Sequence, residues 1–563
     1  MAVALASAAA MQAGPDAAGS GRQIDLRRPG GRVETTVVSG GAPLEWAGWE
    51  LGAGDVNGDG IADLVIAAPG GTDDRPSRRG RLYVLLGRPQ PLLPAVDLAL
   101  RRAPGAVPGA PPVLRSGADV VIDGPGDFDH LGRALVVADF DGDGMADIAA
   151  GAPRADGPLD ARADCGEVII LFGSTAISGV VDLSTAAPGT RVTRVIGRLP
   201  GDALGSSLAA ADVTGDGRVD LIAGAPLAEG MAGALGASDV GEAVVVAGVP
   251  DWPAQIDLFS ARAGALVLRG AEPGDQAGSA VAAGDFDGDG TADLAVGARG
   301  ADGPANRRLD AGEVYLVWGG PALAAAGAAG LSSATVISAP RPGDLGGGSL
   351  ALGDLDGDGR ADLAIGAALA DGRRNRLDAG GAYVMMGRPR AAVEALRTVP
   401  PDTGLPSGAA RLEAVQQSRS FPIDLAGNVP SVLAVEGADP GDHTGVRGIW
   451  DLDLDGLGDL VLGAEDSSSR RNSRAGGGEL RLVAGGRAPA PFVDLREAGS
   501  VAALFGATGG GHFGRAAVAA DFDGDGRPEL ASSAPLAGQS LGGRVWVLRA
   551  DWGALLRPPE AGR

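Results

Sequence analysis

The sequence predicts an all-β protein, a seven-bladed β-propeller with four-stranded blades and a ring closed by an N-terminal strand. Three observations lead to this fold class. An acidic nine-residue stretch occurs seven times in the 563 residues, short apolar runs typical of β-strands follow the copies, and successive copies begin 84, 73, 73, 69, 97 and 70 residues apart. A unit of about seventy residues that repeats in this way is most simply one closed array, because radial repetition leaves only short, protected sheet edges.

The acidic stretch has the pattern of a calcium loop. In the copy from Asp285 to Asp293, carboxylates occupy positions 1, 3, 5 and 9 and glycine occupies positions 4 and 6. Oxygen ligands at this spacing, on a loop turned by glycine, suit a hard divalent cation. An EF-hand would need glutamate at position 12 and a helix on each side. Position 12 is apolar or serine in all seven copies, so the loop is predicted to join the first two strands of a hairpin.

Up to seven structural Ca²⁺ ions are therefore expected, one per blade, with position 7 contributing its backbone carbonyl. The predicted metal ligands, in chain order, are Asp55, Asn57, Asp59, Ile61, Asp63, Asp139, Asp141, Asp143, Met145, Asp147, Asp212, Thr214, Asp216, Arg218, Asp220, Asp285, Asp287, Asp289, Thr291, Asp293, Asp354, Asp356, Asp358, Arg360, Asp362, Asp451, Asp453, Asp455, Leu457, Asp459, Asp521, Asp523, Asp525, Arg527 and Glu529. The alternative is a set of Asx turns without metal. Clustered carboxylates would then repel by roughly 1 to 4 kcal/mol per pair.

Ligand charge ranks these sites. Blades 2, 4 and 5 are expected to bind most tightly, and blade 3 most weakly, because neutral Thr214 stands at its position 3. Blade 6 has Leu454 where the other copies have glycine at position 4, which is a strained choice if the backbone there needs a positive φ. In blade 7 the last ligand is Glu529 after Pro528, which has a longer side chain than aspartate.

Most units also contain a recurring Asp-Leu segment that precedes an extended stretch. Its copies are Ile24-Asp25-Leu26, Val96-Asp97-Leu98, Val181-Asp182-Leu183, Ile256-Asp257-Leu258, Ile423-Asp424-Leu425 and Val493-Asp494-Leu495. The fourth unit lacks a clear copy. The chain thus starts with one strand too many and its last unit is one strand short, so the N-terminal strand is predicted to complete the last blade.

The predicted domain organisation follows from these repeats. Residues 1–23 are assigned to a disordered tail or signal remnant, 24–550 to the propeller and 551–563 to a C-terminal tail. Residues 388–420 are predicted to be an insertion in the fifth blade, with helix-like stretches at 391–396 and 409–417. A second, proline-rich insertion is placed at about 101–114 in the first blade.

Composition narrows the function classes. The net charge of −24 argues against nucleic acid or an anionic membrane as partner. However, 26 of the carboxylates belong to the predicted loops, so most of the negative charge is attributed to calcium binding. All 47 basic residues are Arg, which with the high Ala and Gly content indicates a GC-rich, bacterial genome. Cys165 is the single cysteine and excludes an intrachain disulfide. No apolar run approaches membrane-spanning length.

The repeats resemble the FG-GAP repeats of the integrin alpha-subunit propeller. The pieces that carry this resemblance are Phe513-Gly514, Leu131-Gly132 and Leu204-Gly205, together with the Gly-Ala-Pro turns, and it covers about residues 24 to 550. The resemblance implies Ca²⁺ in the loops between first and second strands on a lower face, and partners on the upper face. The chain departs from integrins in carrying the loop in all seven blades, and the other integrin domains are not expected.

Two further residue sets leave alternatives open. His130, His443 and His512 each lie two residues before the glycine that opens a first strand, near the expected channel mouth; packing is favoured over a zinc or catalytic cluster. Arginines crowd the turns between second and third strands. They predict either a basic arc for a carboxylate or sulfate ligand or salt bridges to neighbours such as Asp310 and Asp378. These arginines are Arg75, Arg78, Arg79, Arg307, Arg308, Arg373, Arg374, Arg376, Arg470, Arg471 and Arg474.

The expected function is a calcium-stabilised binding or adhesion module, located outside the cell, on its surface or in the periplasm. It is expected to be a monomer that recognises a protein or glycan on the face opposite the metal loops, without nucleic acid binding or membrane insertion. No catalytic or cofactor-binding residue is predicted, and the protein is not expected to be an enzyme. The alternative is a propeller-scaffold hydrolase or lyase acting on polysaccharide or phospholipid, which the low histidine content disfavours.

Overall fold

The structure is a computed structural model that describes residues 23–29, 33–70, 79–89, 94–99, 101–102, 114–185, 190–229, 239–260, 264–373, 376–396, 423–426, 429, 432–468, 474–496, 501–538 and 541–556. Several predictions fall outside these residues: the disordered tail or signal remnant up to residue 22, the helix-like stretch at 409–417 and most of the proline-rich insertion.

Seven sheets are arranged as the blades of a β-propeller, and each contains four antiparallel strands. The first strands are β3 (Leu51–Gly54), β10 (Ala134–Ala138), β15 (Ser207–Ala211), β20 (Ala277–Gly284), β24 (Ser349–Gly353), β29 (Gly445–Trp450) and β34 (Ala517–Ala520). Each first strand packs against the first strands of both neighbouring blades, and the β34–β3 contact completes the ring. The first strands therefore surround a central channel, as a seven-bladed propeller requires.

The remaining three strands of each blade follow outward from the channel. The second strands are β4 (Asp63–Ala68), β11 (Asp147–Ala152), β16 (Asp220–Ala225), β21 (Asp293–Ala298), β25 (Asp362–Gly366), β30 (Asp459–Ala464) and β35 (Glu529–Ala534). The third strands are β5 (Arg81–Leu85), β12 (Glu167–Leu171), β17 (Glu242–Val246), β22 (Glu313–Val317), β26 (Gly381–Met385), β31 (Glu479–Val483) and β36 (Arg544–Ala550). The fourth strands are β9 (Val120–Asp123), β14 (Val192–Ile196), β19 (Ala265–Arg269), β23 (Thr335–Ser338), β28 (Val432–Glu436), β33 (Val501–Phe505) and, for blade 7, β2 (Val33–Ser39).

The ring closes through the N-terminal strand, as predicted. Strand β2 pairs antiparallel with β36 from Val33–Ala550 to Ser39–Arg544, and it supplies the fourth strand of blade 7. The N-terminal and C-terminal parts of the chain thus share one sheet.

The Asp-Leu segments add a fifth strand to six of the sheets. These strands are β1 (Gln23–Asp25), β6 (Ala95–Asp97), β13 (Gly179–Asp182), β18 (Gln255–Asp257), β27 (Ile423–Asp424) and β32 (Phe492–Asp494). Each lies parallel to the fourth strand of the preceding blade, as β18 does beside β14. The chain therefore covers the outer edge of the preceding blade after the third strand of a blade and before its fourth strand. A further two-stranded ribbon consists of β7 (Arg101–Arg102) and β8 (Leu114–Arg115).

Blade 3 has four strands because the fourth unit lacks an Asp-Leu segment, as the sequence indicated. Helix α1 (Pro321–Ala329) takes its place and packs against β19. Leu323 and Ala326 of this helix are buried in one apolar cluster with Leu268 of β19. A short 3₁₀ turn, Leu331–Ser333, leads into the next strand. Two other 3₁₀ turns are Pro158–Asp160 and Pro304–Asn306.

Two more helices border the propeller. Helix α2 (Arg390–Ala395) matches the first helix-like stretch predicted in the insertion. Helix α3 (Trp552–Leu556) lies in the segment assigned to a C-terminal tail, but its Trp552, Leu555 and Leu556 are buried with Leu452. Trp552 Nε1 donates a hydrogen bond to the Pro528 carbonyl at 2.9 Å. The apolar side chains of these residues explain why they dock against blades 6 and 7 instead of remaining in solvent.

The core lies within and between the blades. The second strands are buried along their whole length, for example at Asp147–Ala152 and Leu221–Ala225. Position 2 of every metal loop is buried at 0 or 1% exposure, which confirms that its apolar side chain fills the core behind the loop; these residues are Val56, Phe140, Val213, Phe286, Leu355, Leu452 and Phe522. Within the described part of the chain, no helix has the length and apolarity needed to cross a membrane.

Candidate metal centres

The seven acidic stretches lie at one end of the propeller, here called the lower face, in the turns between first and second strands. Glycine at positions 4 and 6 is required by the backbone. Gly288 and Gly290, for example, have φ values of 78° and 92°, which other residues adopt only with strain. Leu454 at position 4 of blade 6 has φ of 59° and is exposed, so the strain predicted for this loop is present.

The position 1 carboxylate organises each turn by accepting backbone hydrogen bonds. Asp285 Oδ1 accepts from Gly288 N at 2.7 Å and from Asp289 N at 3.1 Å, and Asp285 Oδ2 accepts from Gly290 N at 2.9 Å. The Asp289 carboxylate in turn accepts the position 7 amide of Thr291 at 2.8 Å. These bonds curl the loop around its own carboxylates, which brings side chains from positions 1, 3 and 5 to one side.

The position 9 carboxylate ties the loop to the blade. Asp147 Oδ2 accepts the Phe140 amide at 2.9 Å, and Asp147 Oδ1 accepts the Gly173 amide beyond the third strand at 2.8 Å. The pKa of Asp147, Asp293 and Asp459 is raised to about 7, because burial, helped by the neighbouring loop carboxylates, outweighs the backbone amide hydrogen bonds that lower it. A divalent cation would counter both unfavourable effects on the charged form.

Five loops bring three carboxylates together so closely that their oxygens lie within 4.8 Å of one another. The groups are Asp139, Asp141 and Asp147; Asp285, Asp287 and Asp289; Asp354, Asp356 and Asp362; Asp451, Asp453 and Asp459; and Asp521, Asp523 and Glu529. An all-oxygen donor set of this charge and size fits Ca²⁺. These five acidic clusters belong to blades 2, 4, 5, 6 and 7.

Blades 1 and 3 are the two loops with a neutral residue at position 3. In blade 1, the Asn57 carbonyl accepts the Asp59 amide at 2.9 Å while its side-chain amide donates to Asp59 Oδ2 at 3.0 Å. In blade 3, Thr214 Oγ1 donates to Asp220 Oδ1 at 3.4 Å. Both side chains supply a polar oxygen in place of a carboxylate, in line with the lower affinity expected for blade 3; the ranking of individual sites stays a prediction.

Arginines contact two of the acidic clusters, which the sequence did not indicate. Arg549 of β36 pairs with Asp523 at 2.6 Å and with Asp525, and its Nε lies 3.9 Å from Glu529 Oε1. In blade 2, Arg191 pairs with the buried carboxylate of Asp141. Their position outside the nine-residue motif explains why the motif alone could not identify them.

Neighbouring metal loops are also joined by backbone hydrogen bonds around the ring. The position 8 amide donates to the position 1 carbonyl of the preceding loop, as in Ala146 N to Asp55 O at 2.7 Å and Ala361 N to Asp285 O at 2.8 Å. Position 8 of blade 7 is Pro528, which has no amide hydrogen to donate. The loops of blades 6 and 7 therefore lack this bond, which joins five of the seven neighbouring pairs of loops.

On the opposite, upper face, four arginines in the turns between second and third strands form internal salt bridges. Each pairs with the aspartate of the fifth strand in its own sheet: Arg162 with Asp257 at 2.8 Å, Arg308 with Asp424 at 2.5 Å, Arg376 with Asp494 at 2.8 Å and Arg474 with Asp25 at 2.9 Å. Arg79 lies 4.0 Å from Asp182 in the same way. The predicted salt-bridge alternative therefore holds for these residues, with partners different from Asp310 and Asp378. Arg75, Arg78, Arg374, Arg470 and Arg471 lie outside the described residues.

Two of the three histidines share one carboxylate. His443 Nδ1 lies 2.7 Å from Asp466 Oδ2, and His512 Nδ1 lies 3.0 Å from Asp466 Oδ1. These hydrogen bonds lower the pKa of Asp466 to about 2, and the bond to Asp466 raises the pKa of His512. The residue two positions before the opening glycine has a positive φ in all seven blades, from Trp46 to His512. Backbone conformation therefore restricts this position in addition to packing. His130 lies at the same position of blade 2.

Comparison with known proteins agrees with this geometry. The FG-GAP repeat family matches residues 47–85, 131–171, 204–237, 277–317, 346–385 and 513–548, which lie in blades 1 to 5 and 7. The chain is an FG-GAP repeat protein with a seven-bladed propeller fold.

Its relatives include two kinds of protein. The chain is 32% identical over 192 residues to the phosphatidylinositol-glycan-specific phospholipase D of Rattus norvegicus, a match that covers 33% of this chain and 19% of the relative. The corresponding protein of Bos taurus is 32% identical over 191 residues. Integrin alpha-PS2 of Drosophila melanogaster is 30% identical over 272 residues, 48% of this chain and 17% of the relative. The matched region is thus less than a fifth of each relative's length.

Proposed function

We propose that this protein is a calcium-stabilised binding or adhesion module that acts outside the cytoplasm and recognises a protein or polysaccharide with its upper face. The observation that carries the proposal is the confinement of the five acidic clusters to lower-face loops. Calcium in these loops would have a structural role, and the upper face remains for a ligand. The similarity to an integrin alpha chain supports an adhesive function.

The loop residues would hold up to seven ions, one in each blade. When bound, Ca²⁺ supplies positive charge that offsets the repulsion among clustered carboxylates. The chain itself does the rest: position 1 curls the loop, position 9 anchors it to the blade, and the position 8 amides link consecutive loops. Free calcium is scarce in the cytosol and abundant outside it, which supports an extracellular, surface or periplasmic location.

Thermal unfolding with and without calcium tests the structural role. We expect the melting temperature to be many degrees higher in Ca²⁺ than in EDTA, because apo loops hold uncompensated carboxylates. The variant Asp287→Asn should lose part of this difference, since it removes one carboxylate of the blade 4 cluster. Asp127→Asn is a matched control, because Asp127 is exposed on the upper face. Coincident melts in Ca²⁺ and EDTA would contradict the proposal.

A second candidate function, a hydrolase or lyase that uses the propeller as scaffold, is favoured by one observation besides the phospholipase D relatives. His443 and His512 share Asp466 on the upper face, and a histidine–carboxylate pair is a common acid–base element. Incubation with glycosylated phosphatidylinositol and with polysaccharides, followed by product analysis, tests this role. Turnover that is lost in His443→Ala would favour the enzyme; we propose binding without turnover.

A further inference from the structure

We infer that the upper mouth of the central channel binds a carboxylate side chain presented by a protein partner; this deepens the proposed binding function and rests on it. The site, called the channel mouth below, consists of Trp49, Arg133 and Arg515, which directly follow the glycines that open three first strands, and of Arg447 in β29. These residues belong to blades 1, 2, 7 and 6.

The channel mouth is built around the indole of Trp49. The guanidinium carbons of Arg133 and Arg515 lie 4.2 and 4.3 Å from the centre of its ring. Contacts of this kind between a cation and an aromatic face are attractive and favour a fixed guanidinium orientation. Arg447 is held separately, since its Nε donates to the Gly514 carbonyl at 2.7 Å. Three guanidinium groups from three blades are thus placed around one opening.

Positive charge exceeds negative charge at this opening. Two carboxylates are nearby: Glu465 pairs with Arg515 at 3.1 Å, and Glu50 follows Trp49 at the end of the turn. Arg133 and Arg515 approach the same indole, so their guanidinium groups repel each other. Arg133, Arg515 and Arg447 outweigh Glu50 and Glu465, and a ligand carboxylate would compensate the excess positive charge.

Two hydrogen-bond donors at the channel mouth also lack acceptors. Trp49 Nε1 and Arg515 Nε are buried and have no hydrogen-bond partner among the described residues. Leaving a buried donor unpaired costs about 1 to 3 kcal/mol, and such groups call for a specific explanation. A carboxylate oxygen beside Trp49 would accept hydrogen bonds from these donors, and the arginines would favour its negative charge.

The other side of the opening has room for an entering group. The residues that follow the opening glycine are Ser206 in blade 3, Ser279 in blade 4 and Gly348 in blade 5. Ser206 Oγ and Ser279 Oγ donate to nearby carbonyls at 2.7 and 3.1 Å, so their hydroxyls are turned toward their own blades. Small side chains opposite three arginines form an asymmetric entrance.

The surroundings of the channel mouth favour a protein over a soluble anion or a polysaccharide. Exposed apolar side chains occupy the tips of the upper-face turns: Leu44, Phe128, Leu159, Leu309, Leu377 and Leu541, with exposures from 40 to 98%. Apolar contacts around a charged centre are typical of protein interfaces. The partner that fits is a protein loop with an Asp or Glu at its tip and apolar residues beside it.

Direct binding to a peptide array tests the inference. The probes are cyclic peptides that present Asp or Glu between leucines, matched peptides with Asn or Gln, and a polyuronate as an acidic polysaccharide. We expect the calcium-loaded protein to bind the acidic peptides at least tenfold more tightly than the amide versions. Arg133→Gln should weaken this binding tenfold or more and leave the melting temperature unchanged, because the Arg133 side chain is exposed.

The matched control is Arg307→Gln, an exposed arginine in an upper-face turn outside the channel mouth, and it should bind as the wild type does. The inference is overturned if Arg133→Gln retains full affinity, if the polyuronate binds in place of the peptides, or if no acidic peptide binds at millimolar concentration. The difference in melting temperature between Ca²⁺ and EDTA is measured as an independent test of the proposed function. If it persists while Arg133→Gln binds every array ligand normally, the proposed function stands and the channel-mouth site does not.

Discussion

Arg376 provides the sharpest test of how the blades are held together. Its guanidinium group reaches Asp494 of β32 through two hydrogen bonds of 2.8 and 2.9 Å, Glu436 of β28 at 2.9 Å and the Gly437 carbonyl at 2.6 Å. The arginine is 4% exposed, and the two carboxylates are 13% and 15% exposed. This one side chain therefore neutralises a buried acidic pair and fixes the fifth strand to the edge of blade 5.

The cost of Arg376→Ala follows from these contacts. The substitution removes the arginine that bridges Asp494 and Glu436, and breaking a buried ion pair from one side costs about 3 to 5 kcal/mol. Arg373→Ala serves as the control in the same turn. Arg373 is 65% exposed and lies 3.4 Å from Glu436, and an exposed ion pair contributes about 1 kcal/mol or less.

Urea unfolding in saturating Ca²⁺ measures the loss of stability, and hydrogen exchange locates it. We expect Arg376→Ala to lower the urea midpoint clearly more than Arg373→Ala does, and the amides of β28 and β32 to lose protection while those of blade 2 keep theirs. If Arg376→Ala costs less than about 1 kcal/mol and β32 stays protected, the arginine does not hold the strand. The basic-arc interpretation of the upper face would then regain support.

Three further predictions follow from single residues. Leu454→Gly should raise stability by about 0.5 to 1 kcal/mol, because it relieves a positive φ at the cost of greater unfolded-state entropy, whereas the same change at exposed Leu309 should not stabilise the protein in urea titrations. Arg549→Gln should increase the calcium bound in blade 7, measured by isothermal titration, since it removes a cation that pairs with the ligands; an unchanged stoichiometry and affinity would contradict this. Asp466→Asn should lower the free energy of unfolding by about 1 kcal/mol. The loss is small because the Asp466 carboxylate is 37% exposed and solvent screens the ion pair. Because Asp466 has a lowered pKa and His512 a raised one, this cost should be greatest between about pH 4 and 6.5. It should shrink as the pH rises through the folded pKa of His512 or falls toward that of Asp466, and a cost that is constant with pH would contradict the ion pair.

The repeat made most of the fold predictable from sequence. The pattern around Asp285, with an apolar residue at position 2 and a short strand after position 9, is local and occurs seven times, so the hairpin and its buried side chain could be assigned from one unit and checked against six others. Ring closure followed from counting strands, because an odd strand at Val33–Ser39 matched a missing one in the last unit. The absence of an Asp-Leu segment in the fourth unit also corresponded to a real difference in blade 3.

The contacts between distant segments could not be predicted in the same way. Arg308 and Asp424 are 116 residues apart in the chain, and Arg474 and Asp25 are 449 apart. No periodicity links a turn in one unit to a segment that the next unit donates, so the arginines were assigned to closer partners, Asp310 and Asp378. The available signal was the joint recurrence of a turn arginine and an Asp-Leu aspartate, which becomes informative only once the fifth strand is known to lie on the preceding blade.

We therefore propose that the lower face of the propeller serves stability and the upper face serves recognition. On the lower face calcium would compensate the five acidic clusters, whereas on the upper face pairs such as Arg162–Asp257 and Arg376–Asp494 are complete within the chain. Removal of calcium should accordingly loosen the lower loops while the arginine contacts still hold the outer strands. Because these arginines are already paired, the positive charge left for a ligand is concentrated where Arg133 and Arg515 meet Trp49. Under the proposed binding function, specificity on the upper face would depend on the central opening more than on the surrounding turns.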